Sequence, residues 1–188
     1  MTCSVLSINQ SPTELDRIYE ENYYSYLHSP EFHRAFLSVV GLFATRHGSR
    51  CLDVGCGEGW LAPYVLSDYV GIDGSSVAIY RAKRNNLSHK EFHVRRIESP
   101  GLRDYRFDLA IFGNLFTTCI KAESQLGFIK SYIEYFDLKK FILYDLQQLD
   151  TSQIDATFRR ICYYEASVDV PDLQEVKRHR KVLVYRCF

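Results

Sequence analysis

Cys51-Leu52-Asp53-Val54-Gly55-Cys56-Gly57-Glu58-Gly59-Trp60 decides how this chain folds. An acid stands near the end of a short apolar strand, three alternate glycines follow, and a helix is expected to start after them. Glycines at such a turn take positive φ and let a ligand approach the backbone with no Cβ in the way. A glycine loop alone is a weak signal; the strand before it and the helical pattern after it make it informative. Val70-Gly71-Ile72-Asp73 adds a second acid, ending the next strand about 20 residues on, the spacing of a ribose-binding carboxylate. Together the two elements point to a nucleoside. Asp53 narrows the choice: a pyrophosphate at this helix start would be repelled by it, whereas a sulfonium and an amino group would be attracted.

Upstream, Ser11-Pro12-Thr13-Glu14 is a capping box with proline in the first helical position, and Leu15, Ile18, Tyr19 and Tyr26 recur at helical spacing. A helix is therefore expected over 11–27. A second opens at Ser29-Pro30-Glu31, carries Phe32, Ala35, Phe36, Val39, Val40 and Phe43 on one face, and stops at Gly48. Downstream, apolar runs predict strands near 50–54, 69–73, 92–96, 107–112, 140–145, 162–169 and 180–187. Helices are expected over 59–67, 75–86, 122–137 and 151–160. Strands alternating with helices imply right-handed βαβ units and a mostly parallel sheet. The last two strands have only a loop at Pro171-Asp172 between them and should pair antiparallel.

At this point the sequence resembles the class I S-adenosylmethionine-dependent methyltransferases, whose first motif reads acid-x-G-x-G-x-G and whose second strand ends in an acid. The resemblance covers most of 50–188, including Phe107-Asp108-Leu109-Ala110-Ile111-Phe112 as the fourth strand. It implies an α/β fold, a Rossmann-like seven-stranded and mostly parallel sheet with the last strand antiparallel, preceded by two N-terminal helices. One domain spans 1–188, with a helical cap over 1–48 and a cofactor-binding core over 49–188. It implies S-adenosylmethionine as cofactor. Asp53 and the loop Gly55, Cys56, Gly57 and Gly59 would meet its methionine end, Asp73 its ribose, and Gly74 and Ser75 its adenine. Ile97 and Asn114 complete the expected cofactor set. Relatives often set an acid against the adenine after the third strand. Here Arg95-Arg96-Ile97-Glu98 stands there, which leaves that contact to Glu98 or to backbone groups.

The methyl acceptor should sit beyond the carboxyl ends of the strands. Gly113, Asn114, Thr117 and Thr118 follow the fourth strand; Asp145, Gln147 and Gln148 end or follow the fifth. The N-terminal helices add Tyr19, Tyr23, Tyr24, Tyr26, His28 and His33, whose aromatic faces could wall a pocket and attract a sulfonium. Thr118 occupies the place of a histidine in many relatives, so no catalytic base carries over. Lys and Arg balance Asp and Glu at 23 each, so a nucleic-acid partner is not expected, and the basic run Lys177–Lys181 reads as a solvated strand edge. The six scattered cysteines form no metal or redox pair, no apolar run is long enough for a bilayer, and no secretory signal pattern opens the chain. A cytoplasmic enzyme methylating an oxygen or nitrogen of a small molecule is the expectation. An RNA or protein methyltransferase, or an inactive cofactor-binding scaffold, are the alternatives.

Overall fold

The computed structural model describes residues 11–21, 30–85, 89–118, 120, 122–145, 150–169 and 177–187. Two helices come first, α1 (Pro12–Glu20) and α2 (Pro30–His47). They are followed by β1 (Arg50–Val54), β2 (Asp68–Asp73), α3 (Ser76–Asn85), β3 (Glu91–Val94) and β4 (Leu109–Gly113). Then come α4 (Leu115–Thr118), α5 (Gln125–Phe136), β5 (Lys140–Asp145), α6 (Ser152–Thr157), β6 (Arg159–Asp169) and β7 (Lys177–Arg186). The described strands form a seven-stranded sheet in the order β3-β2-β1-β4-β5-β7-β6. β7 runs antiparallel to both β5 and β6, and the remaining pairs are parallel.

Strands β1 and β4 are central and covered on both faces; β4 reads as an unbroken apolar run, whereas β1 buries Asp53 among its apolar residues. One face packs Leu52, Val54, Val70, Ala110, Phe112, Phe141 and Leu183 against Phe128, Ile129 and Tyr132 of α5. The other packs Cys51, Tyr69, Leu109, Ile111, Ile142 and Val184 against Phe36, Leu37, Val40 and Ala44 of α2 and Ile79 and Ala82 of α3. Helix α2 therefore runs down the second face, its first turn at the carboxyl end of the parallel strands and its last turn beside Lys140, whose Nζ donates to the His47 carbonyl at 2.9 Å.

Three elements differ from expectation. No α-helix spans 59–67; the chain makes one 3-10 turn at Ala62–Tyr64. Pro63 and the positive φ of Gly59 oppose a helix there, and α2 occupies that layer instead, with Gly41 so close to Tyr64 that a Cβ would collide with its backbone. Buried Lys90 completes the short crossover by donating to the carbonyls of Val65 at 2.5 Å and Ser67 at 3.0 Å. The helix expected over 151–160 is only Ser152–Thr157, because β6 begins at Arg159 to match β7. The helix expected over 122–137 opens as a 3-10 turn, Ala122–Ser124, and becomes α-helical at Gln125. Helix α1 starts as the capping box requires, Ser11 Oγ accepting from the Glu14 N–H at 3.2 Å; of the remainder of the expected 11–27 helix, 22–27 lie outside the described residues.

Candidate cofactor and acceptor site

The turn after β1 is pinned to β2: the Gly55 and Cys56 N–H groups both donate to the Ile72 carbonyl, at 2.8 and 2.9 Å. Gly55, Gly57 and Gly59 have φ of +72°, +54° and +72°, which side chains with a Cβ adopt only at a cost. Asp73, 6% exposed, braces this loop from the end of β2. Its Oδ2 accepts from the Gly57 N–H at 3.0 Å and its Oδ1 from the Ser75 N–H at 2.8 Å. A carboxylate has about four acceptor sites, so two remain for the vicinal hydroxyls of a ribose. Burial pushes the Asp73 carboxyl up to about 6, against the pull of those backbone N–H groups.

Asp53 lies deeper, at 2% exposure, and accepts from the Tyr69 hydroxyl at 2.5 Å. Burial, helped by the charge of Asp73, lifts it to about 7, with the Tyr69 bond opposing. Two neighbouring buried acids with raised pKa values make a site that gains from a nearby cation. Sulfonium and ammonium groups fit that chemistry, and a pyrophosphate does not. Cys56 lays its Sγ over Gly71, and burial raises its thiol far from any reactive range.

Helix α1 lies across this loop. Asp16 accepts from Ser75 Oγ at 2.6 Å, Ser76 Oγ at 2.9 Å and the Val77 N–H at 3.2 Å, capping α3 from 60 residues away in sequence. Although burial works the other way, these bonds hold the Asp16 carboxyl below its usual range. The Tyr19 hydroxyl stands 2.8 Å from where a Cβ on Gly57 would project, and Leu15 is 3.0 Å from the same point on Gly74. Arg81 of α3 ties the parts together, bonding Glu58 Oε1 at 2.7 Å and the Tyr19 carbonyl at 2.9 Å. Tyr19, expected in the acceptor pocket, thus stands at the glycine loop. Asp16 drew no notice in the sequence, although an acid one turn before a loop-facing tyrosine was there to be read.

The rest of the expected set divides. Gly74 and Ser75 follow Asp73 directly, and Ser75 is fully buried. Ile97 is buried, its carbonyl accepting from the Tyr132 hydroxyl at 2.5 Å. Glu98, the candidate for adenine, is bonded to Arg96 at 2.8 Å. Asn114 follows β4 with φ +54°, its N–H donating to the Tyr144 carbonyl at 2.9 Å. Thr117 and Thr118 lie on α4, but their side chains and that of Asp145 are outside the described residues, as are Tyr23, Tyr24, Tyr26, His28, Gln147 and Gln148.

Across the sheet, the Tyr144 ring lies over Gly113 in the space a Cβ would fill. Phe36 meets Tyr144 edge-on at 6.1 Å, and the Arg180 guanidinium lies 5.5 Å over Phe36. Arg180 Nη1 is 2.6 Å from His33 Nδ1. Arg180 is 2% exposed, which corrects the reading of the whole 177–181 run as solvated. Strand alternation explains it: Arg180 shares a face with Val182 and Val184, which pack beneath α2. Among the described residues no group of His, Cys, Asp and Glu could hold a metal, and no helix is long and apolar enough to cross a membrane.

Strand order, glycine loop and paired acids define the class I S-adenosylmethionine-dependent methyltransferases, and S-adenosylmethionine is the cofactor. Residues 52–131 match the family described as a methyltransferase domain. Among solved structures it is similar to magnesium protoporphyrin IX methyltransferase from Synechocystis PCC 6803 with bound SAH. The TM-score is 0.65 at 12% identity, over 94% of this chain and 98% of that one. It is also similar to the plantazolicin methyltransferase BpumL in complex with a pentazolic substrate analogue and SAH, with TM-score 0.58, 16% identity and 91% of each chain covered. A sequence comparison with curated proteins finds no match.

Proposed function

We propose that this methyltransferase acts on an oxygen or nitrogen of a small molecule. The observation that carries the reading is the way α1 and α2 border the carboxyl end of the sheet. Helix α1 covers the glycine loop and the start of α3, while the first turn of α2 reaches Arg180. A site bounded by the chain's own helices suits a compact acceptor better than a polymer. The methyltransferases it resembles in fold include one named for a porphyrin and one for plantazolicin, which is consistent with acceptors of that kind.

In this reading Asp53 and Gly55–Gly59 hold the methionine end of the cofactor, with Tyr19 beside them. Asp73 takes the ribose hydroxyls. Gly74, Ser75 and Ile97 border the adenine, and Asn114 lies between cofactor and acceptor. The sulfonium is itself a good methyl donor, so the protein's part is to align the nucleophile and keep water out. Calorimetric titration should give micromolar binding of S-adenosylmethionine and S-adenosylhomocysteine, about −8 kcal/mol, and none of NAD. Asp73→Ala should weaken both ligands at least tenfold, since each lost charge-assisted bond contributes about 1.5–3 kcal/mol. NAD binding with no heat from either adenosyl ligand overturns the site.

A further inference from the structure

We infer that α1 is a strap across the cofactor site, fastened at Asp16, and that it must lift for S-adenosylmethionine to enter and for S-adenosylhomocysteine to leave. This rests on the cofactor site proposed above and adds how that site opens and closes.

The contacts of α1 with the core form a closed ring. Asp16 accepts from Ser75 Oγ at 2.6 Å, and the Ser75 N–H donates to Asp73 Oδ1 at 2.8 Å. Ser75 is itself held, its Oγ accepting from the Ala78 N–H at 3.1 Å. Asp73 Oδ2 then accepts from the Gly57 N–H at 3.0 Å, and the Tyr19 hydroxyl stands 2.8 Å from where a Cβ on Gly57 would lie. Tyr19 belongs to α1, so the path leaves that helix at one turn and returns to it at the next. Within the ring is the carboxylate proposed to take the ribose. Arg81 adds an outer fastening through Glu58 and the Tyr19 carbonyl.

Access is what the ring restricts. With Asp73 only 6% exposed, two ribose hydroxyls reach it only if part of its cover moves. Leu15 and Tyr19, four residues apart on one face of α1, fill the space over Gly74 and Gly57 and leave no room for a ligand between helix and loop at either point.

Of the two helices that precede the sheet, α1 is the one built to lift. It has nine residues, too few to hold a helix in water unaided, so its order comes from docking. Leu15, Asp16, Ile18 and Tyr19 are only half-buried, whereas Phe36, Leu37, Val40 and Ala44 of α2 are fully buried. Hydrogen bonds from Ser75, Ser76 and Val77 to one carboxylate fasten α1, and these can break and re-form without opening the core. Docking also sets Ser75, whose N–H orients Asp73. A docked strap and a bound ribose therefore favour each other, each ordering the same carboxylate.

The test uses the full chain and S-adenosylhomocysteine. Saturating ligand should slow hydrogen exchange of the α1 amides by at least about fivefold. In stopped-flow measurements Asp16→Ala should speed ligand dissociation at least about tenfold and association about threefold, because a looser strap opens more often. Damage to the site would slow association instead, and that result overturns the strap. Asp16→Asn, with one acceptor oxygen in place of two, should fall between parent and Asp16→Ala. If Asp16→Ala does not fold, Arg81→Met loosens the outer fastening and should move both rates the same way. Unchanged rates in a folded variant make α1 a fixed cover, and faster α1 exchange with ligand makes it a plug that the cofactor displaces; either overturns the strap. A parent chain that does not bind S-adenosylhomocysteine overturns the cofactor site itself, an outcome distinct from binding that leaves α1 indifferent.

Discussion

The two halves of the sheet solve recognition with different materials. On the β3-β2-β1 side, where the cofactor is proposed to bind, the parts are backbone and carboxylate: positive-φ glycines, N–H groups bonded to Asp73, and buried Asp53. On the β4-β5-β7 side, where the acceptor is proposed to sit, they are large side chains, with Tyr144 over Gly113, Phe36 against Tyr144, and a guanidinium stacked on Phe36. A fixed cofactor can be held by main chain, because its shape never changes. A particular acceptor has to be specified by side chains, which differ from one protein of a fold to the next.

That division is most sharply broken at Gly57. A branched residue there would strain a +54° φ and drive its Cβ against the Tyr19 hydroxyl, disturbing the loop and the helix that lies across it. Gly57→Val should weaken S-adenosylhomocysteine more than about a hundredfold, equivalent to 2.8 kcal/mol. The melting temperature should fall by less than about 8 °C, since one left-handed residue costs roughly 1–2 kcal/mol. Equal affinity in a folded variant would dissolve the cofactor half as drawn.

Gly113→Ala probes the other half with the reverse signature. Its new Cβ falls inside the Tyr144 ring, so the wall must shift at a cost of about 1–3 kcal/mol, or roughly 3–10 °C in melting temperature. Calorimetry should meanwhile find S-adenosylhomocysteine affinity within about threefold of the parent. A large loss of cofactor binding would show that the halves are not separable.

A pH dependence is expected from Asp53. Its folded pKa of about 7 lies above the ordinary 3.8. Between those values the unfolded chain has released a proton that the folded protein still holds, so stability falls as pH rises through that window. Asp53→Asn keeps an acceptor for Tyr69 and cannot ionise. Its melting temperature relative to the parent should therefore climb between pH 4 and 7.5. A difference that stays level across that range would mean Asp53 ionises freely in the fold.

The positive-φ loop and its two buried acids were legible because their signals are local: three alternate glycines, and an acid at or near the end of each strand. The acceptor half was not. Arg180 sits among Lys177, Arg178, His179 and Lys181, which on composition alone read as solvated. Only strand alternation, together with knowledge that α2 covers that face, places it inside. His33 was noticed as a polar group on α2, but its partner lies 147 residues away and no periodicity reveals such a pair. The missing helix over 59–67 has the same origin. Leu61, Ala62 and Val65 are apolar and buried as expected, but α2, from elsewhere in the chain, fills the layer they would have built.

The short crossover between β1 and β2 has a consequence for how such a protein can change. Because α2 fills that layer, Phe36, Leu37, Val40 and Ala44 are core residues, and burying each of the larger ones contributes about 1.5–3 kcal/mol. The same helix holds Arg180 through His33, at the end of the sheet where the acceptor is proposed to sit. Specificity and stability thus share one element, and a drift in the sequence of α2 that admits a new acceptor is taxed by the loss of sheet packing.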